Sequence, residues 1–319
     1  MTEYSSQSVL ERYDLAQGAH DETWKIGFGP GITEDLQCLA AWAATAEDPL
    51  QDFKRGRLDL PEVHALSARV AAQLDRGPGF AWLRGLPEVP EHLTSLVFLA
   101  IGLELGETLG AYGRLYDVVD RGESYREQAI PVSQTRESTG LHTDSSNRSV
   151  WPRTVALACL HASSGGGETL LSSAVRAHEA LRIRTPQLLE SLYGEFFRDV
   201  VTPGSDRDPA AVSRNAFPVF YDDRGVTLRY MRYWIEVGHE RAGVPLTRLQ
   251  VQALDALDEA LEDPAHLTTF RMSAGDMLFI DNTRIAHGRS GYADQAGRPR
   301  HLQRMWIDRQ RANSPAVPA

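Results

Sequence analysis

The segment Arg153-Thr154-Val155-Ala156-Leu157-Ala158-Cys159-Leu160-His161 runs into Ala162-Ser163-Ser164-Gly165-Gly166-Gly167 and resumes as Glu168-Thr169-Leu170-Leu171-Ser172. Both runs are short and apolar, and the three glycines between them permit a tight turn into the second. They read as two strands, and the same short, glycine-punctuated pattern extends from Gln128 to Val175. Working outward, Phe80–Arg84, Phe217–Phe220, Thr227–Tyr233, Phe270–Met272, Met277–Asp281 and Leu302–Ile307 read as further strands. Apolar residues spaced three and four apart predict helices over Thr33–Ala46, Pro61–Leu74 and Leu246–Leu261. Helices are also expected over Pro90–Leu105, Val175–Arg182 and Thr185–Glu195. Strands crowd the middle and end of the chain without the regular alternation of a parallel sheet. The expected fold is therefore mainly β with flanking helices, built on a jelly-roll core of the double-stranded β-helix type. Residues 1–30 read as an N-terminal arm, 31–308 as one domain with helical insertions, and 309–319 as a tail.

Composition narrows the function. Among 319 residues, 33 basic against 43 acidic side chains leave a net charge of −10. That balance argues against nucleic acid or an anionic membrane as partner, while leaving room for a basic pocket that takes a small acid. Two cysteines, Cys38 and Cys159, are too few for a disulfide framework or a thiolate metal cage. The longest apolar stretch, Leu96–Leu105, is broken by Gly102 and Glu104, and the first residues have no basic start followed by an apolar run. A cytoplasmic location is expected. No glycine-rich phosphate loop of the P-loop or dinucleotide-binding kind is present, which removes the main support for a nucleotide fold.

Three strings carry chemistry. In Thr139-Gly140-Leu141-His142-Thr143-Asp144, side chains two apart on a strand share a face, so His142 and Asp144 can meet one ion. A hydrogen-bonded strand histidine explains His142 equally well if that string stands alone. The second string, Asp281-Asn282 and then His287-Gly288-Arg289, supplies a distant imidazole. Two histidines and a carboxylate on one face of a metal leave positions open, as in non-haem Fe(II) oxygenases; zinc accepts the same ligands. Arg300 and Arg304 follow, the first leading into an apolar strand and the second within it. An arginine facing inward there needs a partner, and a guanidinium holds a dicarboxylate in two-pronged fashion. Surface ion pairs are the plainer use for both. In the third string, Gly165-Gly166-Gly167-Glu168-Thr169, a turn would place the Thr169 hydroxyl inside the barrel.

Taken together, these strings resemble the taurine dioxygenase (TauD/TfdA) family of Fe(II)/2-oxoglutarate-dependent oxygenases, from about Gly79 to Asp308. Leu141-His142-Thr143-Asp144 is similar to the family's first metal motif, and Asp281-Asn282 with His287-Gly288-Arg289 to its distal one. Gly166-Gly167-Glu168-Thr169-Leu170 is similar to its Gly-Gly-x-Thr turn, and Arg300-His301-Leu302-Gln303-Arg304 resembles the clavaminate synthase branch. The resemblance implies that His142, Asp144 and His287 bind Fe(II), with Thr169, Arg300 and Arg304 at the cosubstrate 2-oxoglutarate. It implies O2-dependent oxidation, by default hydroxylation, of a C–H bond in a small polar metabolite, amino-acid-like or a natural-product intermediate, with release of succinate and CO2. Arg114, Tyr116, Asn147, Arg229 and Tyr233 are the expected substrate contacts, an arginine among them holding a carboxylate, sulfonate or phosphate. The polar stretch Thr202–Asp208 reads either as a mobile cover over the site or as an ordinary surface loop. Two other readings stay open: a zinc hydrolase using the same triad, and a non-catalytic barrel that binds a metal or a small acid.

Overall fold

The computed structural model describes residues 22–309, apart from 112, 128, 202–207, 224, 295 and 296. Within them, eleven strands form two sheets. They are β1 (Lys25–Gly27), β2 (Phe80–Arg84), β3 (Glu107–Thr108), β4 (Tyr116–Val118), β5 (Thr139–His142), β6 (Thr154–His161), β7 (Thr169–Ser173), β8 (Leu267–Phe270), β9 (Met277–Asp281), β10 (Ile285–Arg289) and β11 (His301–Asp308). The larger sheet has the order β1-β2-β9-β6-β11-β3, with β4 also on β11; the smaller has β8-β7-β10-β5. Only β1 and β2 among the register-matched pairs of these sheets run parallel.

Alternation along each strand decides what the sheets bury. In the larger sheet Ala81, Leu83, Ala156, Ala158, Met277, Phe279, Met305 and Ile307 face an outer layer of helices. Phe80, Trp82, Cys159, Leu278, Ile280 and Leu302 face the other way and meet Leu171 and Ile285 of the smaller sheet. The two sheets therefore pack face to face.

Helices α1 (Ile32–Ala43), α2 (Pro61–Arg76) and α3 (Glu91–Leu105) cover the larger sheet. In α2 a proline opens the first turn and Val63, Leu66, Val70 and Leu74 form the buried stripe. By contrast, α3 is buried from Leu93 to Leu103 because it lies between its neighbours and the sheet. There a Cβ on Gly102 would stand 2.6 Å from the Met305 sulfur, so a larger residue would require the end of the Met305 side chain to move aside. Helices α4 (Ala174–Arg184), α5 (Arg232–Ala242) and α6 (Arg248–Glu262) lie on the side of the smaller sheet. A capping box between Thr247 and Gln250 starts α6, and Ala253, Leu254, Leu257 and Leu261 bury its inner face. Among the described residues strands outnumber helices, but the helices are longer and clothe both outer faces.

Three departures from the sequence pattern have physical causes. Glu22–Gly27, read as part of an arm, contributes a 3-10 turn and β1, because Trp24 and Ile26 find buried positions beside β2. The helix expected over Thr185–Glu195 covers only Pro186–Ser191; Glu195–Phe197 instead pairs antiparallel with Ala216–Pro218. The strand expected over Thr227–Tyr233 stops at Leu228, and α5 begins at Arg232. Arg232 is held there by Glu236 within its own helix and by Asp255 and Asp258 of α6, partners more than twenty residues away.

Candidate metal and cosubstrate site

His142 closes β5 and His287 sits at the middle of β10, and the two are direct partners across that strand pair. Their ring centroids are 4.5 Å apart. Asp144 lies two residues beyond His142 in a turn carried by Ser145, whose φ of +91° is unusual for a residue with a side chain. That turn is tied down. Asn282, fully buried just after β9, accepts from the Asp144 backbone N–H at 2.8 Å and donates to the Asp144 and Pro152 carbonyls at 3.2 and 2.9 Å.

The result is a convergent triad. His142 Nε2 and His287 Nε2 lie 3.8 and 3.6 Å from one oxygen, Asp144 Oδ1. One ligand atom from each of the three residues falls within 4.8 Å of the others, and all three residues are buried. His142 Nδ1 bonds the Gly140 carbonyl at 2.8 Å, which fixes the tautomer and leaves Nε2 free to coordinate. Burial, helped by His287, pushes the His142 imidazole down to about 4, so it is neutral at pH 7, the form that binds metal. Burial alone would raise the Asp144 carboxyl, but the Arg304 guanidinium, with His287 and His142, outweighs it and holds the group ionised. Trp306 Nε1 donates to Asp144 Oδ2 at 2.6 Å, and Arg304 Nη1 stands 3.2 Å from the same oxygen. A donor set of two imidazoles and one oriented carboxylate fits a divalent ion.

The cavity in front of this triad is lined by Thr169, Arg289, Arg300 and Arg304, with Val155, Leu157, Ile280 and Leu302 as its apolar floor. Arg300 is buried, its guanidinium 4.9 Å from the centre of the Tyr292 ring and its backbone N–H on Asp294. Residues 46–306 match the family described as "Taurine catabolism dioxygenase TauD, TfdA family". The chain belongs to this family.

Its relatives in sequence include FR-33289 synthase of Streptomyces rubellomurinus (strain ATCC 31215), 29% identical over 95% of this chain and 90% of the relative. Clavaminate synthase 2 of Streptomyces clavuligerus is 29% identical over 85% of this chain and 89% of its own. Among solved structures, an asparagine oxygenase superposes with a TM-score of 0.66 at 21% identity, covering 89% of this chain and 93% of its own. A non-haem iron oxygenase, OrfP, in complex with Fe, succinate and (3S)-hydroxy-L-Arg gives 0.65 at 17% identity, covering 89% and 94%. As a TauD/TfdA-family member the chain is an Fe(II)/2-oxoglutarate-dependent dioxygenase. The zinc hydrolase and non-catalytic barrel readings gain no support from these relatives.

A second cavity of the dioxygenase adjoins the triad on the Asp144 side. Pro131, Val132, Ser133, Ser146, Val201, Met231, Trp234, Arg304 and Trp306 line it together with His142 and Asp144. Val132 and Ser133 belong to both cavities, so the short 3-10 turn Val132–Gln134 stands as a shared wall.

The expected substrate contacts line neither cavity. Arg114 donates to the carbonyls of Leu50, Gln51 and Phe53, closing the end of a short helix. Tyr116 accepts from Gln134 Nε2 and lies under the Arg304 guanidinium, 5.0 Å from ring centre. Asn147 folds back on Ser149, and Arg229 binds the Asn147 carbonyl and packs 4.0 Å from the Phe217 ring centre. Tyr233 donates to the Tyr125 carbonyl. Backbone carbonyls, invisible as partners in a sequence, take up Arg114, Arg229 and Tyr233, while Tyr116 and Asn147 bond Gln134 and Ser149. Of the expected cover, residues 202–207 lie outside the described residues. Trp306 and Asn282, which orient Asp144, are not among the expected metal or cosubstrate residues. Trp306 was within reach of the two-residue rule, being two beyond Arg304 on a strand.

Proposed function

We propose that His142, Asp144 and His287 hold Fe(II), and that Arg300 and Thr169 hold the carboxylate of 2-oxoglutarate remote from the metal. The substrate then occupies the second cavity, beside Asp144. The observation that carries this reading is that the convergent triad shares one buried cavity with Thr169 and Arg300. When bound, Fe(II) and 2-oxoglutarate supply the oxidising chemistry, consuming O2 and releasing succinate and CO2 as a substrate C–H bond is oxidised. The protein's own part is orientation. His142 presents Nε2 because Gly140 holds Nδ1, and Trp306 fixes the carboxylate so that Oδ1 faces both imidazoles. Arg304 stands where the two cavities meet and keeps Asp144 ionised. The apolar floor excludes water from the reacting centre.

For the substrate we infer a small polar metabolite, amino-acid-like or a natural-product intermediate, with hydroxylation as the outcome. The similarity to FR-33289 synthase and clavaminate synthase 2 over most of each chain supports a biosynthetic intermediate. Arg304 offers it a cation. The facing sheets support the two halves of a double-stranded β-helix, and both cysteines being unpaired supports a reducing, cytoplasmic setting.

The test is spectroscopic. Anaerobic protein given Fe(II) and 2-oxoglutarate should show a weak visible charge-transfer band that is absent from His287→Ala. Folded, iron-loaded protein without the band would overturn the assignment of the site. With the band in hand, succinate release in the presence of candidate metabolites identifies the substrate.

A further inference from the structure

Three guanidiniums and one carboxylate line the inner cavity: Arg289, Arg300 and Arg304 against Asp144. Arg304 is paired with Asp144, and Arg300 is assigned above to 2-oxoglutarate. Arg289 has no carboxylate at ion-pair distance among the described residues; Asp120, itself paired with Arg136, acts on it only from farther off. Its hydrogen bonds among the described residues are to carbonyls, Nη2 to Thr135 at 2.9 Å and a long contact from Nη1 to Ser290. A buried guanidinium without a counter-ion is costly unless something in the working protein offsets it.

The position of Arg289 is not accidental. It follows His287 by two residues on the inward face of β10, opposite Thr169 of β7. Its guanidinium lies 4.6 Å from the centre of the Tyr292 ring, and Arg300 contacts the same ring at 4.9 Å. Two like charges thus share one aromatic support beside the cosubstrate subsite. The carbonyl that Arg289 grips belongs to Thr135, almost fully buried at the end of the turn Val132–Gln134. Within that turn the Gln134 N–H bonds the Pro131 carbonyl and the Thr135 N–H bonds Val132. Its Val132 and Ser133 line both cavities. A second attachment, from the Tyr292 N–H to the Arg136 carbonyl, holds the segment just beyond.

We propose that Arg289 is a positioning residue that couples the cosubstrate subsite to the wall of the substrate cavity. Resting on the assignment of Arg300 to 2-oxoglutarate, the coupling works by charge. An anion arriving at Arg300 offsets the repulsion between the two guanidiniums. The bond that Arg289 already makes to the Thr135 carbonyl is then reinforced, and the wall formed by Val132 and Ser133 becomes firmer. Cosubstrate binding thereby prepares the substrate cavity.

Hydrogen exchange at the Gln134 and Thr135 amides reads this directly. In anaerobic, Fe(II)-loaded wild type, saturating 2-oxoglutarate should slow their exchange by about fivefold, the low end of ordinary coupling between sites. In Arg289→Gln the visible band should still form while the slowing disappears; Arg289→Lys, which keeps the charge without the fork, should retain the band with reduced slowing. Slowing that persists in Arg289→Gln overturns the proposal, as does a wild type that forms the band without slowing. Loss of the band in a folded Arg289→Gln also overturns it, making Arg289 a direct cosubstrate ligand. If Arg289→Gln does not fold, Arg289→Lys decides alone: slowing equal to wild type counts against the coupling. A wild type with no band fails the site assignment itself, a distinguishable result.

Discussion

Trp306 and Asp144 divide a carboxylate by function: the indole N–H holds Oδ2 at 2.6 Å, and Oδ1 is left facing Nε2 of both His142 and His287. The tryptophan would act on a metal held by this triad without touching it. Trp306→Phe keeps most of the packing and removes the donor. Fe(II) affinity should fall by about 10–100-fold, the usual effect of losing a partner behind a ligand. Titration with Fe(II) under argon measures this, and an unchanged affinity would show the indole bond to be incidental.

Asn282 bridges the segment before β10 to the turn bearing Asp144 through three hydrogen bonds. Asn282→Leu, similar in size, leaves the Asp144 N–H and two carbonyls without these buried partners. A loss of about 1–3 kcal/mol in stability is expected, together with weaker Fe(II) binding. Denaturant unfolding and metal titration should therefore change together; a variant with normal stability and normal affinity contradicts the bridging role.

Arg300 and Thr169 should separate in the kinetics of 2-oxoglutarate consumption. Arg300→Gln removes the buried cation, and the KM for 2-oxoglutarate should rise by about 30-fold or more, consistent with the 2–5 kcal/mol attached to breaking a buried charge pair. Arg300→Lys should recover part of this, because an ammonium keeps the charge but not the fork. Thr169→Val removes one neutral hydroxyl contact and should cost about 1 kcal/mol, or roughly fivefold in KM. Equal effects from the two substitutions would mean that Arg300 does not face the cosubstrate.

The two cysteines should differ sharply in reactivity. Cys38 is exposed and Cys159 buried. Burial pushes the Cys159 thiol up to about 12, and the nearby Arg300 only partly opposes it. The sign is clear: a raised pKa disfavours the thiolate, which is the reactive form. At pH 8 only about one molecule in ten thousand carries the Cys159 thiolate. Iodoacetamide should label native protein once and denatured protein twice, as counted by mass spectrometry.

What the sequence discloses follows the range of the interactions involved. His142 and Asp144 are legible because they stand two apart in the sequence, although β5 ends at His142 and a turn, not the strand, brings Asp144 to the site; Arg304 and Trp306 do share one strand. Trp306 is not legible as a site residue, because tryptophan on an apolar strand reads as core. The apolar stripes of α2 and α6 are likewise local and were legible. Helix α5 was not: Arg229–Trp234 has the aromatic and bulky content of a strand, and Arg232 is fixed in a helix by Asp255 and Asp258 of another element. The other partners of the expected substrate contacts are hidden from the sequence for a related reason. Arg114 and Arg229 satisfy backbone carbonyls brought near only by folding.

The pairing of β1 with β2 has a practical consequence for anyone shortening this chain. Lys25–Gly27 covers the outer rim of the larger sheet, and behind it Trp24 stacks on Trp82 and meets Phe80 edge to face. Cutting at residue 31, where the sequence pattern suggests the domain begins, would strip that rim and leave the N–H and C=O groups of β2 open to another chain. The same cut would uncover the rings of Phe80 and Trp82. Such a truncation invites strand-to-strand self-association, whereas one ending before residue 22 preserves the sheet's own margin.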